Sequence, residues 1–352
     1  MINSDNVVVI VVILIYGSFM RVTMKEIAKR ANVSIKTVSR VVNGQGEISA
    51  ETVRRVQEVI DEFGYRPNLM ARSLVTQRTN SIGLIVPNIS NPFYPEVAQG
   101  VLSTARESHH NMLLCSHENN AEEQQQILDS LIAQGVDGII IFPARRSHEQ
   151  LARFADTYGP IVVMNDVLDA AKVSHVQANI FAGAARAVDY LIEKGHRKIG
   201  MINAVRSPLN RRWREHGFQQ AMVAHNVSPD AIFMLPGDSA ETDIEGGHDA
   251  AKQLLVEHPA ITAIFCYNDM MAIGALGACQ ELGRDVPRDC AIVGFDDIAI
   301  ASIIQPALTT IRINKYELGA AAAHQLLLRL EDSQDISPRV VLGVDLIVRQ
   351  SA

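Results

Sequence analysis

The sequence predicts two parts of different fold class: an all-α head, followed by a longer α/β body of two doubly wound parallel-sheet subdomains. Thr23–Asn43 has the pattern of two short helices joined by a tight turn. From Ser81 onward, short runs rich in Ile and Val alternate with amphipathic helical stretches. The charge also changes sign, because residues 20–78 carry 11 Lys and Arg against 6 Asp and Glu, whereas residues 79–352 are net acidic.

The first element of the head is a short helix that begins at Thr23. Thr23 and Glu26 make a T-x-x-E capping box, in which each side chain accepts a hydrogen bond from the other residue's backbone N–H. Ile27, Ala28 and Ala31 then recur at helical spacing. They predict one small apolar face, suited to close packing against a second helix.

The second helix follows a turn at Asn32, where a left-handed backbone is needed and Asn is well tolerated. Ser34 is a natural N-cap, and Val38, Val41 and Val42 form the expected buried stripe. The side chains left to meet a ligand are Ile35, Lys36, Thr37, Ser39 and Arg40. This is the pattern of a helix-turn-helix, which predicts DNA as a partner; an ordinary helical hairpin is the alternative.

A third helix completes the predicted head, from Ser49 to about Phe63. Its apolar residues at helical spacing are Val53, Val56, Val59 and Ile60. The following segment Leu69–Leu74 can form a helix but has little apolar surface of its own to bury.

The charge distribution assigns nucleic acid to the head alone. The chain carries a net −7, but residues 20–78 carry +5 and residues 79–352 carry −11. A basic head on an acidic body fits a DNA-binding domain joined to a domain that does not adhere to DNA. The cysteines lack metal-ligand spacing, so we expect reduced thiols in a cytoplasmic protein and no metal site; they are Cys115, Cys266, Cys279 and Cys290.

Residues 1–19 form an apolar leader with an unbroken apolar run from Val7 to Tyr16. That run is too short for a bilayer, which needs about 20 residues. A signal peptide would have a basic start and a small-residue cleavage site, and both are missing here. We expect translation to start at Met20 or Met24, which would make the leader a start-site artefact; a membrane anchor is the alternative.

The body is predicted to contain at least eight apolar strands with helices between them. The predicted strands cover residues 82–86, 112–116, 138–142, 161–165, 173–177, 198–203, 263–267 and 291–295. Alternation of this kind indicates parallel sheets covered by helices on both faces. Because eight or more strands exceed the usual size of one sheet, we divide them into two subdomains.

Polar and aromatic residues follow several of these strands. They include residues 87–94, Asn165-Asp166, Asn268-Asp269 and Asp296-Asp297. Ligands bind at the carboxyl ends of such strands, so two sheets facing each other would form a cleft. Carboxylates, amides and aromatic rings suit a small polyhydroxylated ligand. The alternative is that these residues only cap the following helices.

Enzymatic motifs are missing from the sequence. There is no G-x-G-x-x-G after a strand, no G-x-x-x-x-G-K-[ST] and no G-x-S-x-G. The conspicuous histidines have no ligand-spaced partner and are assigned to surface loops; they are His109, His110, His148 and His196. We therefore predict no catalytic activity and no cofactor.

Short motifs spread over Met20–Ser351 recur together in one family. They are V-S-x-x-T-V-S-R-V-x-N at Val33–Asn43, Y-x-P-N-x-x-A-R-S-L at Tyr65–Leu74, N-P-F-Y at Asn91–Tyr94, V-D-G-I-I at Val136–Ile140, G-H-R-x-I at Gly195–Ile199, T-A-I-F-C-x-N-D-x-M-A-x-G at Thr262–Gly274, G-F-D-D at Gly294–Asp297 and P-x-L-T-T-I at Pro306–Ile311. With them the chain resembles the LacI/GalR family of bacterial transcription factors. The family pattern at the amino terminus matches Met20–Ala28, which also favours Met20 as the start.

The resemblance implies a recognition helix at about Ser34–Asn43, lying in the DNA major groove. Ile35, Lys36 and Arg40 match positions that contact base edges. Thr37, Ser39 and Asn43 match positions that grip phosphates. The family also implies a hinge helix at Asn68–Val75, whose Leu74 enters the minor groove. The implied DNA-binding residues are Ser34, Ile35, Lys36, Thr37, Ser39, Arg40, Asn43 and Leu74.

The body resembles periplasmic sugar-binding proteins. The resemblance implies an effector site made by Asn91, Phe93, Arg214, Asn268 and Asp296. Two departures affect this site. Gly237-Asp238 is followed by Ser239 where many relatives have an aromatic residue, and Ala178-Asn179 replaces the family's D-N pair.

The predicted organisation assigns residues 20–67 to DNA binding, 68–79 to the hinge helix and linker, and 80–352 to effector binding and dimerisation. The N-subdomain would contain residues 80–178 and 313–340, and the C-subdomain residues 179–312 and 341–352. The prediction is a cytoplasmic homodimeric repressor that binds a pseudo-palindromic operator, responds to a sugar-like effector and makes no membrane contact. The alternative is a membrane-held or periplasmic sugar receptor without DNA binding. Control by a partner protein instead of a small molecule is a variant of the main prediction.

Overall fold

The computed structural model describes residues 22–42, 44, 46–65, 78–168, 170, 173–204, 208–228, 232–234, 242–331 and 339–352. The chain divides into two compact units, with the boundary between Thr79 and Asn80. The leader 1–19, Asn43 and the predicted hinge helix with Leu74 lie outside the described residues.

The described residues of the head form three helices: α1 (Met24–Arg30), α2 (Ile35–Val42) and α3 (Ala50–Phe63). They pack around a small core formed by Ile27, Ala28, Ala31, Val38, Val56, Val59 and Tyr65. Val53, which has the same spacing as this core, is 39% exposed. It lies on the outer face of α3, so its assignment to the apolar stripe is wrong.

Local hydrogen bonds define the helix ends, as the sequence predicts. The Thr23 backbone N–H donates to Glu26 Oε2 at 2.7 Å, and Thr23 Oγ1 accepts from the Glu26 N–H at 3.3 Å. Ser34 Oγ accepts from the Thr37 N–H at 3.0 Å. Asn32 has a φ of +52°, which makes the left-handed turn between α1 and α2.

The body contains strands and helices in the following chain order: β1 (Ser81–Val86), α4 (Phe93–Glu107), β2 (Asn111–Ser116), α5 (Ala121–Ala133), β3 (Gly138–Ile141), α6 (His148–Thr157), β4 (Ile161–Met164), β5 (Val173–Ala178), α7 (Ile180–Glu193), β6 (Ile199–Ile202), α8 (Pro208–Ala224), β7 (Ile232–Met234), α9 (Ile244–Glu257), β8 (Ala263–Cys266), α10 (Asp269–Glu281), β9 (Ala291–Asp296), β10 (Thr309–Ile313), α11 (Lys315–Glu331), β11 (Arg339–Leu342) and β12 (Val344–Ile347). A short 3₁₀ turn at Ala299–Ser302 follows β9.

Two six-stranded sheets organise these elements. The N-subdomain sheet has the order β11-β5-β4-β3-β1-β2, and every pair in it is parallel. The C-subdomain sheet has the order β12-β10-β9-β8-β6-β7 and is parallel except that β12 runs antiparallel to β10. β12 enters this sheet directly from β11 of the other sheet, across only Gly343, so no connection is present that could reverse the chain direction. The expectation of wholly parallel sheets is therefore wrong at this edge.

Some elements carry too little signal to appear among the predicted ones. The edge strands β7, β11 and β12 are short, and β11 and β12 are only partly buried. The helix α6 begins at His148, so the assignment of His148 to a surface loop is wrong. Its buried residues Leu151, Phe154 and Ala155 lie at helical spacing, a signal that the loop assignment did not use.

The chain crosses between the subdomains before α7, before α11 and between β11 and β12. One cluster of buried apolar residues extends through both subdomains. The helices α4 and α11 approach closely at Gly100 and Gly319, where an added Cβ would overlap the facing backbone. Among the described residues, no helix is long and apolar enough to cross a membrane.

Candidate functional site

The outer face of α2 carries the side chains predicted to meet DNA. Val38 is completely buried and fixes the rotation of the helix against the head's core. With Val38 inside, Lys36 and Arg40 are exposed and Ile35 is 49% exposed. Thr37 and Ser39 are half-buried at the edges of this face. The head therefore presents two cations and one exposed apolar side chain on a single helical surface.

Ser34 has a structural role that accompanies its predicted contact with DNA. Its hydroxyl caps α2 and lies 2.9 Å from Thr37 Oγ1. This hydroxyl pair orders the first turn of α2. The backbone N–H groups at the start of a helix attract phosphate, so this end is suited to a DNA backbone contact.

The body forms a cleft at the carboxyl ends of strands from both sheets. Its lining residues are Pro87, Asn91, Phe93, Tyr94, Asn119, Phe142, Pro143, Met164, Asn165, Asp166, Ile180, Asn210, Arg214, Thr242, Tyr267, Asn268, Asp296 and Ile313. The cavity volume is about 70 Å³. Pockets for small molecules have about 300–1,000 Å³, so a ligand would require the two walls to separate.

Arg214 is a buried cation in the C-subdomain wall. It extends from α8, is 4% exposed, and its guanidinium lies 4.0 Å from the Tyr267 ring centroid and 4.4 Å from that of Phe295. Its Nη1 makes a long contact of 3.5 Å with the Asn210 carbonyl oxygen. Its Nε has no hydrogen-bond partner among the described residues. An aromatic-stacked cation with an unused donor is suited to bind an oxygen acceptor.

Asp296 provides a carboxyl group in the same wall. Burial raises its pKa to about 7, and the charges of Arg214 and Lys315 partly oppose this shift. The loop that presents it has positive φ at Asp296 (+113°) and Asp297 (+55°). Lys315 Nζ donates to both backbone carbonyls, at 2.9 and 2.8 Å, and so stabilises this unusual conformation.

The acidic residues after β8 and β9 divide between the cleft and the fold. Asp269 is completely buried and accepts from Thr310 Oγ1 and from the Ile298 N–H. Asp297 accepts from Arg312 Nε at 2.7 Å and from Arg349 Nη2 at 2.6 Å. Both carboxylates therefore hold loops together, and the expectation that they line the cleft is wrong.

Aromatic rings form much of the N-subdomain wall. Phe93 is buried and packs edge-on against Tyr94 and Phe142, with centroids 5.2 and 6.1 Å away. Asn91 Oδ1 accepts from the Phe93 N–H at 3.0 Å, which orders the start of α4. In the other wall, Asn268 Oδ1 caps α10 through the Met271 N–H at 2.8 Å. Both amide side chains line the cleft and also accept a hydrogen bond from the first turn of a helix.

The structure places all five predicted effector residues in this one cleft. Residues that the sequence did not indicate join them, notably Asn119, Asn210 and Thr242. None of the three belongs to a recognisable motif, although Asn119 lies three residues after the predicted strand 112–116 and that position could have indicated it. Asp166, noted in the sequence only as a residue after a strand, also lines the cleft. No described cluster of three or more His, Cys, Asp or Glu is arranged to hold a metal ion.

A helix-turn-helix head joined to a two-subdomain body with a polar cleft defines the class of ligand-responsive DNA-binding regulators. Residues 23–68 match the family model of bacterial regulatory proteins of the lacI family, and residues 188–352 match a periplasmic binding protein-like domain. The repressor PurR of Pasteurella multocida is 33% identical over 330 residues, which cover 94% of this chain and 98% of PurR. The chain belongs to the LacI family and is a DNA-binding regulator, not an enzyme.

Solved structures agree with this assignment. The lac repressor dimer, bound to operator and the anti-inducer ONPF, has a TM-score of 0.82 at 27% identity and covers 94% of this chain and 98% of its own. The regulator CelR, in complex with cellobiose, has a TM-score of 0.71 at 28% identity and covers 94% and 100%. Membership of this family opposes the alternative of a sugar receptor without DNA binding.

Proposed function

We propose that this regulator is a repressor whose affinity for operator DNA is controlled by a small sugar-like effector in the cleft. The observation that carries the proposal is the pairing of Arg214, with its unused Nε donor, and Asp296 in one aromatic-lined wall. Sugar hydroxyls can accept from the first and donate to the second. The apolar faces of a sugar ring can pack against the aromatic rings. The binding of cellobiose by CelR supports this ligand class.

The head would supply the operator contacts. Lys36 and Arg40 would donate to guanine O6 and N7, and Ile35 would contact a thymine methyl group. Thr37, Ser39 and Asn43 would bind phosphates, while Leu74 would enter the minor groove from the hinge helix. A homodimer would place two such heads on the half-sites of a pseudo-palindrome.

Effector binding would change the relation between the two subdomains and, through the hinge, the grip on DNA. The effector must bind the two states with different affinity, by about 1–3 kcal/mol in typical allosteric proteins. The proposed division assigns DNA binding to residues 20–67, the hinge to residues 68–79 and effector control to residues 80–352. This scheme is compatible with an effector that releases DNA and with one that tightens DNA binding.

The test uses the full-length protein in two stages. Selection from a random DNA pool should return a pseudo-palindrome, and its fluorescent copy then reports affinity. Cellobiose, D-ribose and adenine are titrated into the complex and, by calorimetry, into the free protein. We expect at least one sugar to bind and to shift operator affinity by about 5–150-fold. If adenine binds and neither sugar does, the effector is a planar heterocycle and the proposed sugar-like class is wrong.

A matched pair of variants locates the binding. Arg214→Met should weaken binding of the active sugar by at least about 10-fold, since a charged hydrogen bond is worth about 1.5–3 kcal/mol. Arg212→Met removes the same charge from an exposed position on the same helix and should have no effect. Equal loss in both variants, or in neither, would contradict the cleft as the effector site.

A further inference from the structure

We propose that Asp166, held in place by His148, is a second effector-binding carboxylate and selects ligands that donate hydrogen bonds to the N-subdomain wall. The inference rests on the proposed function, because it assumes an effector in this cleft. It adds a specificity-determining residue in the wall opposite Arg214 and Asp296. It also narrows the ligand class to neutral or amino sugars, as opposed to sugar acids and sugar phosphates.

Asp166 is a buried residue in the wall of the cleft. It follows β4, lines the cleft and is only 5% exposed. Its Oδ1 accepts from the Val167 N–H at 2.7 Å and lies 3.3 Å from His148 Nε2. No described residue donates to its Oδ2. Because Asp166 lines the cleft, a ligand there can supply a donor to this oxygen.

His148 explains how the carboxylate keeps its orientation. His148 is the first residue of α6, and the hydrogen bond between its imidazole and Asp166 raises the pKa of His148. The other titratable group close to this carboxylate is His175, on β5, whose Nε2 already contacts the Leu168 backbone. Burial lowers the pKa of His175, which favours its neutral form. His148 is therefore the side chain that fixes Asp166 from outside the cleft.

The neighbouring amides leave a distinct role for Asp166. Asn165 Oδ1 is committed to the Ala178 N–H at 3.0 Å, and Asn91 Oδ1 to the Phe93 N–H. The amide oxygens at the start of α4 and the end of β4 thus each already accept one backbone hydrogen bond. Asp166 Oδ2 remains as the strong acceptor in this part of the wall. An anionic group on the effector would be repelled by the Asp166 carboxylate, whereas a hydroxyl or amino group would donate a hydrogen bond to it.

The test compares two sugars with their own acids, using the full-length protein. The probes are cellobiose with cellobiouronate and D-ribose with D-riburonate, acids that keep the sugar ring, each titrated by calorimetry. For the wild type, we expect the neutral member of the binding pair to bind at least about 10-fold more tightly than its acid. Asp166→Asn should weaken the neutral sugar by about 10-fold and reduce the preference over the acid by a similar factor. Glu149→Gln, an exposed acid beside His148 that pairs with Arg153, is the control and should change neither value.

His148 is tested as a positioning residue by rescue. His148→Ala should lower affinity for the same sugar by about 3- to 10-fold, whereas His148→Gln, which keeps a donor, should restore most of it. Thermal unfolding of each variant separates a local effect from loss of folding. Wild-type binding that depends on Arg214 but is unchanged in Asp166→Asn would overturn this inference and leave the proposed function standing. If no sugar binds, or if Arg214→Met has no effect on binding, both this inference and the proposed function are overturned.

Discussion

In the head, Lys36 and Arg40 extend from α2 into solvent, and the fold beneath them is held by a separate set of apolar residues. In the body, Arg214 and Asp296 are almost completely buried, and each contacts residues that also hold the cleft together. The two functional regions of one chain thus separate binding from folding to different degrees. Substitutions in the head should change binding alone, whereas substitutions in the cleft should change binding and stability together.

A double substitution in the head tests this comparison most directly. Lys36→Ala with Arg40→Ala should weaken specific operator binding by about 2–6 kcal/mol, since each base contact is worth about 1–3 kcal/mol. Both side chains are exposed, so the unfolding temperature should stay unchanged. Fluorescence anisotropy with the selected operator and thermal unfolding measure the two quantities. A clear loss of stability would show that the head does not separate the two functions.

The matching change in the cleft is Asp296→Asn, which should alter the pH dependence of stability. Because burial raises the pKa of Asp296 to about 7, the folded protein retains a proton there that the unfolded chain loses near pH 4. The resulting stabilisation is full below pH 4 and is lost as the pH rises through 7.

The Asn variant carries no such charge, so its stability relative to the wild type should rise between pH 5 and pH 8, on the order of a few kcal/mol. Calorimetric unfolding at pH 5, 6, 7 and 8 measures this difference. Asp129→Asn, at an exposed position on α5, should show no trend and is the control. A flat difference for Asp296→Asn would mean that the cleft carboxyl is not coupled to folding.

Packing within the body gives a third measure. Gly319→Ala should destabilise the protein by about 1–3 kcal/mol, because the new methyl group would overlap the Val97 carbonyl and force α4 and α11 apart. Gly277→Ala, within α10, meets only an ordinary contact 3.6 Å away at His248. It should stabilise by about 0.5–1 kcal/mol, the helix preference for Ala. Urea unfolding compares the pair, and a similar sign for both would contradict the close helix contact.

The smallest expected effect tests an exposed residue of the head that has a structural role. Thr23→Ala removes the capping box of α1 and should cost about 1 kcal/mol of stability. Operator affinity should fall only slightly, in proportion to the folded fraction. Thr23→Ser keeps the hydroxyl and should restore both values. A large loss of affinity at full stability would instead assign Thr23 to the DNA interface.

The head could be predicted from sequence nearly residue by residue, because its signals are local. The capping box spans four residues, and the turn depends on one Asn with positive φ. The cleft is different, because residues from Asn91 to Asp296 meet only through the topology of two sheets. Resemblance to a family supplied five of its positions. It could not supply Asn119 or Asn210, which lie in segments without a motif. Position after a strand, taken alone, also could not distinguish Asp296, facing the cleft, from Asp269 and Asp297, which hold loops.

The steps of the chain between the two sheets have a consequence for synthesis on the ribosome. The N-subdomain sheet gains its edge strand β11 only at Arg339–Leu342, after every residue of β6 to β10 has been made. The C-subdomain sheet is completed immediately afterwards by Val344–Ile347. Neither half of the body can therefore finish folding while the chain is still growing, even though the head can. Premature termination before the end of β12 at Ile347 would leave an intact DNA-binding head on a body with open sheet edges, a species prone to aggregate.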